Sequence, residues 1–418
     1  MLILFWQSVK SQVSIHGKII NSQDGKPLPY VSVYLNSTSL GSSTDEQGLF
    51  TINNIPPVKF RLVASCIGFE TFIRLIDPKQ INGMMTISLK PKAEELKGFE
   101  VTLPEPDGWA KWGKFFTDIF IGTTFNSRNC QIDNPEVLKF RLIDGNLMVN
   151  ANKPILIHNG ALGYDIQYKM EEFEYDFSAK IVSYNGYAFF KDLSITNPKK
   201  AKLWKENRLK TYKGSLLHFM RTFFINKLDS AGFEMRSLAT ISNPKKDRAK
   251  MLFSLHRDSL IIDTVVILIK DTTRPNGKPG DVRRVVQSND STAYYKYMLL
   301  QSDSVISHQI VIADSIGSEV DNSTAALYFP DSLEVSYKLS GIPRAYKNLS
   351  KSNKKETYPV SQFVFVSRKP VYVLSNGYYY GPNDLKITGF WAWTENMSGL
   401  LPFDYSPVEI HSLGSIPR

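Results

Sequence analysis

The stretch Gly41–Pro57, GSSTDEQGLFTINNIPP, decides how the front of this chain is read. An aspartate side chain accepts hydrogen bonds from amides just ahead of it, and glycine takes positive φ without a Cβ clash. Asp45-Glu46-Gln47-Gly48 therefore reads as a turn. Phe50 and Ile52 follow with a period of two, so both face one side of a strand. Ile55-Pro56-Pro57 closes the next loop. Asp45 and Glu46 would also suit the start of a calcium loop, but no further acidic residues follow at ligand spacing. The turn reading stands, and Asp45, Glu46, Gln47 and Gly48 form the candidate partner-facing loop.

The same pattern extends in both directions. VSIHGKII before the turn and YVSVYLN, KFRLVASCIGF, ETFIRLI and MMTISL around it read as short strands separated by turn residues. Val31, Val33 and Leu35 share one face. About seven such strands between residues 13 and 90 predict an antiparallel sandwich. At this point a resemblance carries weight. The run Ile15–Glu70, IHGKIINSQDGKPLPYVSVYLNSTSLGSSTDEQGLFTINNIPPVKFRLVASCIGFE, resembles the carboxypeptidase regulatory-like domain of Gram-negative envelope proteins. The resemblance implies a seven-stranded prealbumin-like sandwich that serves as an accessory module. Pro57-Val58 stands where that family usually has Pro-Gly.

The chain has 418 residues, 42% of them hydrophobic, which suits more than one packed core. Its formal net charge is +10, yet the lysines and arginines are spread rather than massed. The basic spots NPKKAKLWKENRLK and SKSNKKE lack the Gly/aromatic pattern of common RNA-binding modules, so nucleic acid is not an expected partner. Residues 1–12, MLILFWQSVKSQ, read as a truncated secretory signal peptide: the apolar run Leu2–Trp6 is short and has no basic flank. Export to the periplasm or the outer membrane is the expectation, peripheral to that membrane at most. Cys66 and Cys130 read as thiols, because a disulfide requires close docking of two domains.

Residues 91–106 read as a linker, and residues 107–418 as an α+β domain dominated by antiparallel strands. WAKWGKFFTDIFIG has helical spacing, and GYDIQYKMEEFEYDF alternates like a long strand. NPKKAKLWKENRLKTYKGSLLHFMRTFFINKLDSAGFEM reads as two helices, broken at Gly214, with Ser215 as an N-cap and Gly232 as the stop. MLFSLH, LIIDTVVILI, VRRVVQ and AYYKYMLL read as strands, and KDTTRPNGKPGD as a loop. NRLKTYKGSLLHFMRTFFINKLDSAGFEM and GYYYGPNDLKITGFWAWTENMSGLLPFDY also resemble elements of large uncharacterised envelope proteins that carry the regulatory-like domain.

The chemistry is sparse. None of the six histidines has a glutamate three residues later, so the zinc carboxypeptidase motif HxxE is missing, as are HExxH, GxSxG, the Walker loop and GxGxxG. No metal or cofactor is expected. One constellation remains: Arg208, Tyr212, His218 and Arg221, on two adjoining helices around Ser215, are candidate anion or ligand residues. The competing and heavier reading pairs Arg208 and Arg221 with carboxylates of a neighbouring sheet and packs Tyr212. Trp391 and Trp393 alternate as on a strand and are candidate glycan-stacking residues, against a heavier core reading. The expected function is non-catalytic binding or scaffolding of an envelope protein or glycan. The alternative is a metal-independent enzyme acting on an envelope polymer, with the helix pair as its anion site.

Overall fold

The computed structural model describes residues 13–92, 103–255, 269–270, 282–283, 294, 297–330, 332–350, 357–365, 368–380 and 385–407. The signal-peptide reading of 1–12, most of the linker and nearly all of the expected loop at 270–281 lie outside them. The chain divides into two units. The larger holds residues 1–235, 311–330 and 334–418; the smaller holds 236–310 and 331–333.

In the larger unit the first seven strands are β1 (Val13–Asn21), β2 (Ser32–Leu35), β3 (Gly41–Ser43), β4 (Leu49–Ile55), β5 (Phe60–Ser65), β6 (Phe72–Ile76) and β7 (Met85–Leu89). They form two sheets, β4-β1-β7 and β3-β2-β5-β6. The expected sandwich is present, and its core is the predicted face: Ile15, Ile19, Val31, Val33, Leu35, Phe50, Ile52 and Leu62 are buried. The Asp45 turn is built as its sequence dictates. Asp45 Oδ1 accepts from the amides of Gln47 at 3.0 Å and Leu49 at 2.8 Å. Gly48 has φ +74°, and a Cβ there would meet the Ile19 carbonyl oxygen at 2.6 Å. β1 pairs with β7 in parallel, although alternation alone suggests an antiparallel set.

A third sheet follows: β8 (Cys130–Ile132), β9 (Leu138–Ile143), β10 (Asn146–Ala151), β11 (Ile155–Asn159), β12 (Tyr164–Asp176) and β13 (Ile181–Asp192). Its order is β8-β11-β12-β10-β9, with β13 also on β12. The long strand β12 buries Tyr164, Ile166, Tyr168 and Met170, and then Phe173. A register shift between Met170 and Glu172 explains the change of phase, since an extra residue moves later side chains to the other face. Helix α1 (Gly108–Phe120) lays Phe116 and Phe120 on this sheet. Helices α2 (Pro198–Tyr212) and α3 (Leu216–Phe224) come next. The stop at Gly232 is corrected: α3 already ends at Phe224, and Gly232, at φ +90°, turns the chain into β14 (Phe233–Ser242).

The smaller unit contains α4 (Pro244–Leu255), β15 (Ile269–Lys270) and β16 (Val282–Arg283). β15 pairs with β16, and β17 (Ser304–Val311) follows. Of MLFSLH, expected as strand, the described residues, 251–255, are instead the end of α4. Asn243 Oδ1 accepts from the amides of Lys245 at 3.2 Å and Lys246 at 3.3 Å, and Pro244 suits the first helical turn, so the cap overrides the apolar run. Tyr297–Leu299, also expected as strand, are helical.

Back in the larger unit, β18 (Gly317–Asp321) pairs with β19 (Thr324–Leu327). After β20 (Ser332–Tyr337) come helix α5 (Arg344–Ser350), β21 (Val360–Phe365), β22 (Val371–Leu374), β23 (Tyr379–Tyr380), β24 (Leu385–Gly389) and helix α6 (Phe390–Thr394). β22 lies between β19 and β23, and β21 pairs with β24. Trp391 and Trp393 therefore belong to a helix, not a strand. Gly389, at φ +77°, ends β24, and the Trp391 amide donates to Ser361 Oγ at 3.0 Å, which starts the turn.

Candidate functional site

Helices α2 and α3 meet at Gly214. It has φ +79°, and a Cβ would sit 2.6 Å from the Tyr337 ring, so only glycine fits the junction. Ser215 is the N-cap of α3, accepting from the His218 amide at 3.1 Å. A second acceptor comes from far along the chain: Glu395 Oε1 takes the Leu216 amide at 2.9 Å. Two of the free amides of the helix start are thereby satisfied.

The candidate cations are engaged in the fold. Arg208 is buried on the inner face of α2. It donates to both oxygens of Asp192 at 2.8 and 2.9 Å, to the Leu162 carbonyl at 2.7 Å and to the Gly163 carbonyl at 2.9 Å. Its guanidinium lies 3.8 Å from the centre of the Tyr164 ring. Arg221 donates to three carbonyls instead, Asn376 at 2.8 Å, Tyr405 at 2.9 Å and Phe403 at 3.1 Å. Arg208 thus pairs with a sheet carboxylate, whereas Arg221 is held by main-chain carbonyls and lies near the Tyr212 ring.

Tyr212 is buried between Arg221, Tyr405 and His218, with ring centres 5.8 Å from Tyr405 and 4.8 Å from His218. His218 Nδ1 accepts the Gly214 amide at 3.2 Å. Burial, with Arg221 and Lys213 adding to it, pushes its imidazole down to about 4, so it is neutral at pH 7. Burial acts the opposite way on Glu395, whose carboxyl is pushed up to about 7. Tyr212 and His218 pack together at the start of α3, whereas Arg221 lies in its last turn and Arg208 lies on Asp192, so the four form no single site and both guanidinium groups are spent on the fold.

A cleft of about 510 Å³ opens beside that helix start. Its lining includes Phe125, Asn126, Asn207, Lys210, Thr211, Lys213, Ser215, Tyr337, Phe390 and Trp393. Phe125 is 72% exposed. Trp393 is half-buried, with its indole N–H on Thr123 Oγ1 at 3.1 Å and its ring 5.7 Å from that of Phe390 and 5.4 Å from that of Tyr346. Asn126 Nδ2 donates to Thr211 Oγ1 at 3.0 Å across the wall. Trp391, by contrast, is core: it is 2% exposed, packs on Phe219 and Phe363, and donates to the Gly214 carbonyl at 2.8 Å. Of the two tryptophans only Trp393 reaches the cleft.

Sequence reasoning singled out Trp393 and Ser215 but missed the rest of the wall. Asn207, Lys210 and Thr211 stand at i, i+3 and i+4 on α2, a spacing visible in the sequence. Phe125, on the wall, and Glu395, which is not part of it, carried no comparable signal. On the sandwich, Asp45, Glu46 and Gln47 are exposed and Gly48 is buried. Cys66 and Cys130 are both free thiols, the first half-buried and the second buried. Among the described residues no group of three or more His, Cys, Asp or Glu is placed to hold a metal ion, and no helix is long and apolar enough to cross a membrane.

Comparison with known proteins bears on the N-terminal part. Residues 15–101 match the family model of the CarboxypepD_reg-like domain. The sandwich is therefore a carboxypeptidase regulatory-like domain, as the resemblance implies. No curated protein matches the chain. A solved structure that it resembles is a protein of unknown function from Bacteroides fragilis, thought to be membrane-associated. The two share 13% identity over 88% of this chain and 99% of that one, with a TM-score of 0.15, too low to carry a structural argument.

Proposed function

We propose that this is a non-catalytic glycan-binding protein of the bacterial cell envelope, peripheral to the outer membrane at most, with the regulatory-like domain as a docked accessory module. The cleft carries the reading. It combines a half-buried tryptophan that reaches the cleft and a second, exposed ring with amide, hydroxyl and ammonium groups around them. Aromatic faces pack against the apolar C–H surface of a sugar while polar side chains take its hydroxyls, and the volume lies in the range of ordinary ligand sites. The accessory-module type of the sandwich supports the envelope placement.

One observation favours the enzymatic alternative: a carboxyl pushed up to about 7, at Glu395, is in the range of a general acid. Glycoside hydrolysis by carboxylates needs two of them flanking the bond. The described lining of the cleft includes neither Glu395 nor any other Asp or Glu. Binding without chemistry is therefore the better reading.

The test is a glycan-binding screen of the full chain beside its Trp393→Ala variant. Binding to a sugar class, lost in the variant while its melting temperature stays near the parent's, is the expected result. Binding that survives Trp393→Ala, or no binding to any glycan class, overturns the assignment.

A further inference from the structure

We infer that the glycan is acidic, and that it runs from the cleft along the exposed face of α2. This rests on the glycan-binding reading above and adds the charge of the ligand and the path it takes.

The charge of the cleft is one-sided. Lys210 and Lys213 line it, and no carboxylate does among its described residues. The same sign continues beyond it. Lys199, Lys202 and Lys210 are spaced 3 and 8 residues apart, which puts them on one face of a helix, and all three are exposed. At 1.5 Å per residue they mark a path of about 16 Å. Glu206 lies on that face as well and offsets part of the charge, but lysine still outnumbers it three to one. The inner face of the helix carries Trp204, Arg208 and Tyr212, which are buried. The fold thus separates a packing face from a basic one, and the basic face ends in the cleft.

Two polyanions fit a basic track, and the aromatic groups choose between them. A single-stranded nucleic acid is held by rings on which successive bases stack. Both aromatic residues of α2 are turned inward, so the lysine track offers no such platform. A uronic-acid chain asks for one ring to stack on, in the cleft, and ammonium groups along the rest, which is what this surface presents.

The experiment is calorimetric titration of the full chain with three probes: oligogalacturonate, a neutral dextran oligomer and an oligothymidylate. Each is run at low and at raised salt, with the parent, Lys202→Glu/Lys210→Glu, and Lys26→Glu as a charge control on the sandwich. The expected result is binding of oligogalacturonate that weakens about tenfold in the double variant and with salt, since exposed charge pairs are screened. Lys26→Glu leaves it unchanged. Equal affinity for the neutral oligomer, unaffected by the double variant, overturns the acidic-ligand inference and leaves the glycan reading standing. Tighter binding of oligothymidylate with the same loss in the double variant overturns it in favour of nucleic acid. Binding of neither sugar overturns this inference and the proposed function together.

Discussion

The carboxylate of Asp404 caps a loop of the sandwich: it accepts the Ser39 amide at 3.0 and 3.1 Å on its two oxygens, and the Ser39 hydroxyl as well. Around that contact the main chain joins too. The Phe403 amide donates to the Ser37 carbonyl at 2.7 Å, the Phe190 amide to the Thr38 carbonyl at 2.9 Å, and the Ala188 amide to Asn36 Oδ1 at 3.0 Å. The module is held by hydrogen bonds to β13 and to a segment some 365 residues further along, and not by an apolar patch alone.

Removing the Asp404 carboxylate leaves two donors of Ser39 without their partner. Asp404→Ala should lower stability by about 1–3 kcal/mol in urea unfolding, while Asp24→Ala, on an exposed turn, stays near zero. Faster amide exchange confined to residues 36–43 is the accompanying signature. Unchanged exchange there means that the cap does not hold the module.

Arg208 has no substitute. Arg208→Ala removes the charge partner of Asp192, which keeps only Ser194, and takes a donor from the Leu162 and Gly163 carbonyls, of which the second keeps the Leu193 amide; it should cost roughly 3 kcal/mol. Arg208→Lys should recover little of it, because an ammonium group cannot reach a carboxylate and two carbonyls in one planar fork. A lysine variant as stable as the parent contradicts that reading.

Within the Asp45 turn the residues divide by role. Asp45→Ala should cost about 1 kcal/mol, and Gly48→Ala more, from its positive φ and the close Ile19 carbonyl. Glu46→Ala and Gln47→Ala, on exposed side chains, should be silent in stability. Thermal melting of the four variants checks the division.

Two titrations of opposite sign meet at the start of α3. Glu395 ordinarily ionises near 4.5 and here near 7, so the folded chain holds its proton longer, and stability falls as pH rises between those values. His218 drops from 6.5 to about 4, so the unfolded chain binds the proton first, and stability falls as pH drops through that window. Glu395→Gln should therefore match the parent at pH 4.5 and exceed it at pH 8, by at most about 3 kcal/mol. Tyr184 and Tyr379, close enough to feel the Glu395 charge, stay neutral over this range because burial raises both. Parallel stability curves for parent and variant would count against it.

The sandwich was legible because its information is local. Alternation, the Asp45–Gly48 turn and a dense motif each lie within a few residues of one another, and each is built by main-chain geometry. The same holds for the α2–Gly214–α3 junction with its Ser215 cap. Legibility failed where an apolar run has two solutions: residues 251–255 of MLFSLH became helix because Asn243 and Pro244 start one upstream, and the W-x-W spacing of Trp391 and Trp393 fell on a helix turn opened by Gly389.

What the sequence by itself determined is the N-terminal fold, the helix pair and the lack of a zinc carboxypeptidase motif. Only the tertiary structure decided what the charged and aromatic residues do. In the sequence Arg208 and Arg221 read alike, as anion ligands or, more heavily, as partners of sheet carboxylates, but their actual partners, Asp192 for one and the carbonyls of 376, 403 and 405 for the other, are supplied by other segments of the chain. Trp391 and Trp393 are two residues apart on one helix, and one is core while the other faces a cleft, because residues two apart on a helix point to nearly opposite faces. Burial and hydrogen-bond partners are properties of the folded neighbourhood. Spacing along the chain fixes which side chains share a face, but not what that face will meet.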